Sequence, residues 1–342
     1  MAKTFDASKF LIYFISSEEY NQYVFKEGYG VFVAKQFNAA EVMRRSRHFD
    51  FSWLNRDDLE VVMLDQIRII KELKADIVIG DMAPTLKIAA ELTTVHQISL
   101  LNAYMTTHYL STRKISRSHK AYHLLRILPD ILSAFLIKLG ERLAFKHIQK
   151  EFNYIRDKHG LKKIGDYLLE IEGNETFICD LPELFPLKPL PSTYKVIGPL
   201  IYEAPKMDEQ QLREAVSQRP VICVSMGSTG DWESLRFLNR DYFAKYAIIT
   251  TGDSNNVLSA EHIISFQFTN LDQVLQKSKL MICHGGNGTI YTGMKNGVFM
   301  FCLPSHFEQE WNVQALEKGN FGKSAINFSQ AKWIVELAKY AT

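Results

Sequence analysis

Short apolar runs alternate with segments of helical spacing along most of the chain. KFLIYFIS (9–16) and YGVFVA (29–34) read as buried strands, separated by a short helix, SEEYNQYVFKEG, that ends at a glycine. DDLEVVMLDQIRIIKELK (57–74) places apolar residues at helical spacing and leads into ADIVIGD (75–81), a short β-branched strand. MAPTLKIAAELTTV (82–95) is helical again, and HQISLLNA (96–103) is the next strand. Alternation of this kind predicts parallel βαβ units. Prolines then cluster in LPELFPLKPLPSTYKVIGPLIYEAP (181–205), which favours an extended, stiff connector. Beyond it the alternation restarts: PVICVSMGS, YAIITTG, HIISFQF, LMICHGG and VFMFCLP predict strands, and QAKWIVELAKYAT predicts a closing helix. The pattern therefore divides the chain into residues 1–190, a Rossmann-like N-terminal domain, residues 191–205, a linker, and residues 206–342, a C-terminal domain.

Composition narrows the class without naming it. The 342 residues are long enough for two cores, and 46% hydrophobic with 23% charged residues is ordinary for a globular protein. A net charge of +2 gives no argument for nucleic acid as a partner. The four cysteines show no CxxC spacing, and most lie in apolar strand-like runs, which favours a reducing, cytoplasmic setting. The N-terminus lacks an apolar signal region, and ILPDILSAFLIKLG is interrupted by Asp130 and Lys138, short of the ~18 apolar residues that suggest a membrane span.

The candidate chemistry sits in three loops that follow strands of the second half. They are SMGSTG (225–230), HGGNGT (284–289) and SHFEQEWN (305–312). In open parallel sheets ligands bind outside the carboxyl ends of the strands, so the three can share one sheet edge. Successive glycines let backbone N–H groups approach an anion, and the following helix brings its positive end. His284 and Thr289 add a ring nitrogen and a hydroxyl, and Gly227 with Ser228 offers the same from the first loop. Glu308 and Gln309 supply an acceptor and an amide suited to sugar hydroxyls. Each loop alone is also readable as an ordinary turn or solvated surface; their order and spacing together favour a diphosphate cradle. GxGxxG fails because Tyr291 stands at its last position, and no HExxH, Asp-x-Asp or GxSxG occurs, so no metal or nucleophile site is expected.

With those residues in view, HGGNGTIYTGMKNGVFMFCLPSHFEQEWNVQALEKGNFG resembles the donor-site signature of the family 1 glycosyltransferases, the UDP-glycosyltransferases and macrolide glycosyltransferases. PVICVSMGS resembles the strand and turn that open their C-terminal domain, and ADIVIGDMAPTLKIAAELTTVHQISLLNA resembles their fourth N-terminal strand, helix and fifth strand. The resemblance implies an α/β protein of GT-B fold, with two Rossmann-like domains facing across a cleft. The N-terminal domain would be the acceptor side, and the C-terminal domain would bind the nucleotide sugar. It implies metal-independent, inverting transfer of a hexose from a UDP- or dTDP-type donor to a hydroxyl of a lipophilic small molecule, with no further cofactor. By the same likeness Gly286, Asn287, Gly288, Thr289 and His284 hold the diphosphate, Ser228 and Gly227 lie near it, and Glu308 and Gln309 bond the sugar.

Three departures from the family pattern stand out. The chain opens at what matches the second strand, without the glycine-rich loop whose histidine is the usual base, so the N-terminal domain is expected to be incomplete. Asp81 matches the aspartate that orients that histidine and is the candidate for the surviving catalytic machinery. Loss of a central strand is expected to leave exposed strand edges or a rearranged pairing. Thr292 stands where relatives carry a carboxylate for the ribose, and the C-terminus stops after one short helix. A truncated or divergent, non-catalytic nucleotide-sugar binder is therefore the second reading.

The region from His108 to Lys150 is basic and leucine-rich, with nine Lys and Arg residues against Asp130 and Glu141. A solvated basic face on acceptor-side helices is the plain reading. The sharper one is peripheral contact with an anionic membrane, as in a glycolipid-forming enzyme.

Overall fold

The structure is a computed structural model that describes residues 1–6, 8–15, 18–48, 50–202, 204, 206, 219–227, 230–253 and 255–341. It separates into two units, Met1–Thr112 with Leu128–Gly198, and Arg113–Ile127 with Pro199–Thr342.

The first unit opens with β1 (Tyr13–Phe14), α1 (Glu18–Lys26), β2 (Gly30–Val31), α2 (Ala39–Ser46) and α3 (Arg56–Leu73). It continues through β3 (Ile77–Asp81), α4 (Leu86–Thr93) and β4 (His96–Leu101). After α5 (Tyr122–Arg126), which belongs to the second unit, come α6 (Asp130–Lys158), α7 (Tyr167–Glu170), β5 (Glu175–Ile178) and β6 (Tyr194–Val196). β3, β4, β5 and β6 form one parallel sheet in that order, and β1 and β2 form a separate parallel pair.

Helix α3 shows why these residues choose their elements. The Asn55 side chain accepts the Asp58 N–H at the N-cap, Asp57 and Asp58 favour the positive end, and Lys71 lies in the last turn. Its buried stripe of Leu59, Val62, Met63, Ile69 and Ile70 joins a core with Ile88, Leu101, Phe152 and Ile155. A buried ion cluster ties α4, α6 and α7 together. The Arg156 guanidinium is 1% exposed; it donates to Glu170 at 2.9 and 3.0 Å, to Glu91 at 2.8 and 2.9 Å, and to the Lys162 carbonyl. Burial alone would lower its pKa, but the two carboxylates outweigh burial and raise it.

The opening runs behave differently from the buried strands expected of them. β1 and β2 are two residues each, pair only with one another among the described residues, and leave Leu11 83% and Val33 84% exposed. β3 is consequently an edge strand whose Ile77 and Ile79 reach solvent. Within the stretch expected as a linker, Tyr194–Val196 pairs in register with Thr176–Ile178 and completes the first sheet, and the chain passes to the second unit at Gly198. STYKV lies between Pro191 and Pro199 and holds no proline itself, so the backbone donors needed for pairing are intact there.

The second unit contains β7 (Val221–Ser225), β8 (Ala247–Thr251), β9 (Ile263–Phe266), α8 (Leu271–Leu275) and β10 (Ser278–Cys283). α9 (Asn287–Lys295), β11 (Phe299–Cys302), α10 (Phe307–Lys318), β12 (Gly322–Ser324) and α11 (Gln330–Tyr340) follow. All six strands are parallel, in the order β12-β11-β10-β7-β8-β9. Strands β7, β8, β10 and β11 are nearly continuous apolar runs because both faces of the sheet are covered. Trp333 and Leu337 of α11 close one face against Phe301 and Ile282. In this order the first strand of the unit, β7, lies between β8 and β10, so the sheet reverses direction at β7 and β10 and opens a crevice beyond their carboxyl ends.

Candidate functional site

The loop after β10 enters that crevice. Cys283 ends the strand, and His284 follows, buried, with Nδ1 3.4 Å from the Ser225 carbonyl at the end of β7. That carbonyl can only accept, so Nδ1 carries the proton and Nε2 of the neutral ring is bare. Burial lowers the pKa of the imidazole, while the Ser225 carbonyl works weakly the other way. Donation from Nε2 to a phosphate therefore needs a second proton on the ring or a change of tautomer.

Glycines make room for the ring on both sides. Gly227, at φ +56, is so close that a methyl carbon there would lie 2.7 Å from His284 Cε1. A methyl carbon on Gly286 would lie 2.4 Å from Nε2. Gly285, at φ +88, faces Val313 and the Gln309 carbonyl of α10, with a methyl position 2.9 Å from Val313 Cγ2. A methyl on Gly288 would meet nothing within 4 Å. Three glycines are thus required by the fold itself, and the fourth opens onto empty space.

Helix α9 starts at this point. Its N-cap is Gly286, which has no side chain to satisfy the first-turn amides of 287–289. Those amides and the positive helix end are what an anion would meet. Gly286, Asn287 and Thr289 are half-buried and Gly288 is exposed. Thr292, at the position where a ribose carboxylate was expected, is buried and donates its hydroxyl to the Gly288 carbonyl at 2.7 Å.

The third loop closes on the second through α10. Asn312, fully buried, donates from Nδ2 to the Gly285 carbonyl at 2.9 Å. Gln309 is also buried, and its side-chain oxygen accepts the Ser305 N–H at 2.8 Å and hydroxyl at 3.1 Å. It therefore caps its own helix through the oxygen. Glu308 is half-buried in the first turn of α10. The structure brings Gly227, His284, Gly286 and the 285–312 contact together at adjacent strand ends; Ser228 lies outside the described residues.

Glu310, Asn312 and Gly285 are the residues that motif reading passed over. Glu310 accepts the Ser116 hydroxyl at 3.0 Å and the Arg117 N–H at 3.2 Å, and the Trp311 indole donates to the Lys114 carbonyl at 2.7 Å. Burial raises Glu310's carboxyl above its ordinary range despite those bonds. The 113–127 segment is thereby fastened beside the third loop within the second unit. Asn312 and Gly285 were visible only as a polar residue inside a helical run and one glycine among several.

Asp81, the candidate from the first unit, stands at the carboxyl end of β3 and reaches solvent. Crowding by surrounding protein nevertheless raises its carboxyl. Burial pushes the Cys179 thiol up to about 12, with Asp81 and then Asp180 adding to the effect. Asp180 is itself occupied, holding the Ala103 N–H at 2.7 Å and the Asn102 amide at 3.2 Å.

Comparison with known proteins agrees with this geometry. Residues 222–339 match the glycosyltransferase family 28 C-terminal domain. A PGL/p-HBAD biosynthesis glycosyltransferase of Mycobacterium tuberculosis is 23% identical over 94% of this chain and 75% of its own length. A PGL/p-HBAD biosynthesis rhamnosyltransferase of Mycobacterium bovis is 24% identical over 75% of this chain and 57% of its own. Among solved structures, the calicheamicin glycosyltransferase CalG4 superposes with a TM-score of 0.64 at 14% identity, covering 98% of this chain and 83% of that one. The glycosyltransferase VinC, solved in complex with dTDP, gives 0.61 at 14% identity, covering 96% and 82%. With its two Rossmann-like units the chain has the GT-B fold, and it is similar in sequence to proteins named glycosyltransferases, in keeping with a GT-B glycosyltransferase akin to the family 1 enzymes.

Proposed function

We propose that the chain transfers a hexose from a UDP- or dTDP-linked donor to a hydroxyl of a lipophilic small molecule, with inversion and without a metal. The observation that carries the reading is the seating of His284 between Gly227 and Gly286, at the start of α9 and at the reversal point of the sheet. There the departing diphosphate would meet the α9 amides, which are already in place to stabilise charge that develops on the leaving group, and the imidazole would add to them once its Nε2 carries a proton. Attack by the acceptor oxygen on the anomeric carbon releases a proton, and Asp81 is the candidate to accept or relay it. The dTDP complex of VinC and the rhamnosyltransferase named among the relatives support a nucleotide-linked hexose of this kind.

A second reading is a nucleotide-sugar binder without turnover. Thr292 spends its hydroxyl inside α9, Asp81 accepts no hydrogen bond from the described residues at its carboxylate, and one relative of 22% identity is named an inactive PGL/p-HBAD biosynthesis glycosyltransferase.

Thermal shift with UDP, dTDP and NAD tests donor binding. At ~100 times its dissociation constant, a ligand stabilises the fold by about 2.7 kcal/mol. UDP or dTDP is expected to raise the melting temperature and NAD to leave it unchanged, with His284→Ala removing the shift. Absence of a shift with either diphosphate would sink both readings. Release of free sugar or glycosylated acceptor from a bound donor then separates the enzyme from the binder.

A further inference from the structure

Helix α6 carries a face that the first unit does not use. Between 131 and 150, Ile131, Leu132, Phe135, Leu136, Leu139 and Leu143 are 88%, 45%, 62%, 37%, 46% and 60% exposed. At 3.6 residues per turn they fall within about 140° of the helix circumference. Lys138, Arg142, Lys146 and Lys150 share this outward arc, the first two along one flank and the last two beyond its C-terminal end. The only carboxylate between 131 and 150 is Glu141, on the opposite arc with Ala134 and Phe145. Ile148 and Phe152 then turn into the core, so the helix is anchored at its C-terminal half and bare at its N-terminal half.

We propose that this face docks the protein on an anionic lipid surface. Six exposed apolar side chains exceed the scattered singletons normal for a soluble surface, and they form one contiguous strip. The acyl boundary would take the aliphatic and aromatic groups. Lys138 and Arg142 extend their stems along the strip and carry their charge out to the headgroup phosphates. Charge selects this occupant over a second copy, because a two-fold pairing of the face would set its four cations against four more. Among the described residues no helix is long and apolar enough to cross a membrane, so α6 lies on the surface. The inference deepens the transferase reading by bringing a lipophilic acceptor to the protein from a bilayer, but it is tested without donor or acceptor.

The test is co-sedimentation of the full chain with phosphatidylcholine vesicles, and with vesicles of phosphatidylcholine and phosphatidylserine. Pelleting is expected with the mixed vesicles, not with the neutral ones, and should fall when salt rises from about 0.1 M to 1 M and the screening length shrinks from about 10 Å to 3 Å. Lys138→Ser with Arg142→Ser should weaken the partition about thirtyfold, and Ile131→Ser with Phe135→Ser at least tenfold. All four positions are exposed, so far-UV circular dichroism and the thermal shift with UDP should match the parent. Equal recovery with both vesicles, no recovery with either, or parent-like binding of both variants would overturn the proposal. So would a parent dimer in analytical ultracentrifugation that the same substitutions dissolve.

Discussion

Two alanine substitutions two positions apart separate what the fold requires of the glycine loop from what a ligand requires. At Gly286 the backbone is ordinary, φ −70 and ψ 149, so alanine meets no backbone strain. Its methyl carbon would lie 2.4 Å from His284 Nε2, 3.0 Å from Cε1 and 3.3 Å from Cδ2. Carbon contacts settle near 3.5–4.0 Å, so the ring must move by about 1 Å and give up its long bond to the Ser225 carbonyl. Overpacking of this size costs about 2 kcal/mol, and at about 2–4 °C per kcal/mol the melting temperature should fall by about 4–8 °C. Gly288 is the opposite case: beyond its chain neighbours and the backbone of its own helix, nothing lies within 4 Å of its methyl position, and the site is in the first turn of α9. Alanine there should hold or raise stability, by up to about 1 kcal/mol, because glycine is the poorer helix former. The same methyl would occupy the space in which a diphosphate approaches the first-turn amides, and UDP or dTDP should bind at least tenfold more weakly, about 1.4 kcal/mol. Scanning fluorimetry gives the first quantity and isothermal titration calorimetry the second. If Gly288→Ala bound the diphosphates as tightly as the parent, the diphosphate would not sit in the space beside Gly288 and the cradle would lie elsewhere.

Three further expectations rest on buried charge. Arg156→Ala strands the fully buried Glu170 without its cation and should cost about 3–5 kcal/mol in urea unfolding; near-parental stability would show that the cluster is not held as described. Glu310→Ala removes the acceptor of the Ser116 hydroxyl and the Arg117 N–H, and about 1–3 kcal/mol of stability with it, read as easier proteolysis within 113–127. The third concerns pH. Burial lowers the pKa of folded His284, so below about 6.5 the unfolded chain binds the proton more readily than the folded one. That part of the stability is intact above the unfolded value and is lost as pH falls through it. His284→Gln should therefore show a shallower fall in stability between about pH 7 and pH 5, by up to 1.4 kcal/mol per unit; parallel curves would contradict it.

Much of this molecule was readable from local pattern, and the exceptions share a physical cause. Strands β7, β8, β10 and β11 announce themselves because both faces are covered and nearly continuous apolar runs result. The order of the three loops then implied a common edge, and the contacts of His284 with Gly227 and Gly286 agree with it. Apolar content alone misled at 9–16 and 29–34, because burial depends on a partner sheet, and these runs found only each other. Spacing alone did not show the contact that Gln309 makes with Ser305, because a side chain that suits a sugar hydroxyl suits a nearby backbone N–H equally well. No local signal could place 113–127 with the second unit: Ser116 and Glu310 are 194 positions apart in the chain. Contacts at such separation come from topology, not from spacing.

The fastening of 113–127 also changes what counts as a separable piece of this protein. The chain crosses between its units at 112–113, again at 127–128 and a third time at 198–199. A fragment cut at the proline-rich stretch would leave Glu310 and the Trp311 indole without the Ser116, Arg117 and Lys114 groups that now satisfy them. Exchange of the second unit with that of a relative would inherit that defect unless the strap travels with the unit it serves. The graft that respects this architecture has two segments, 113–127 and 199–342, joined through a host whose own loop is removed.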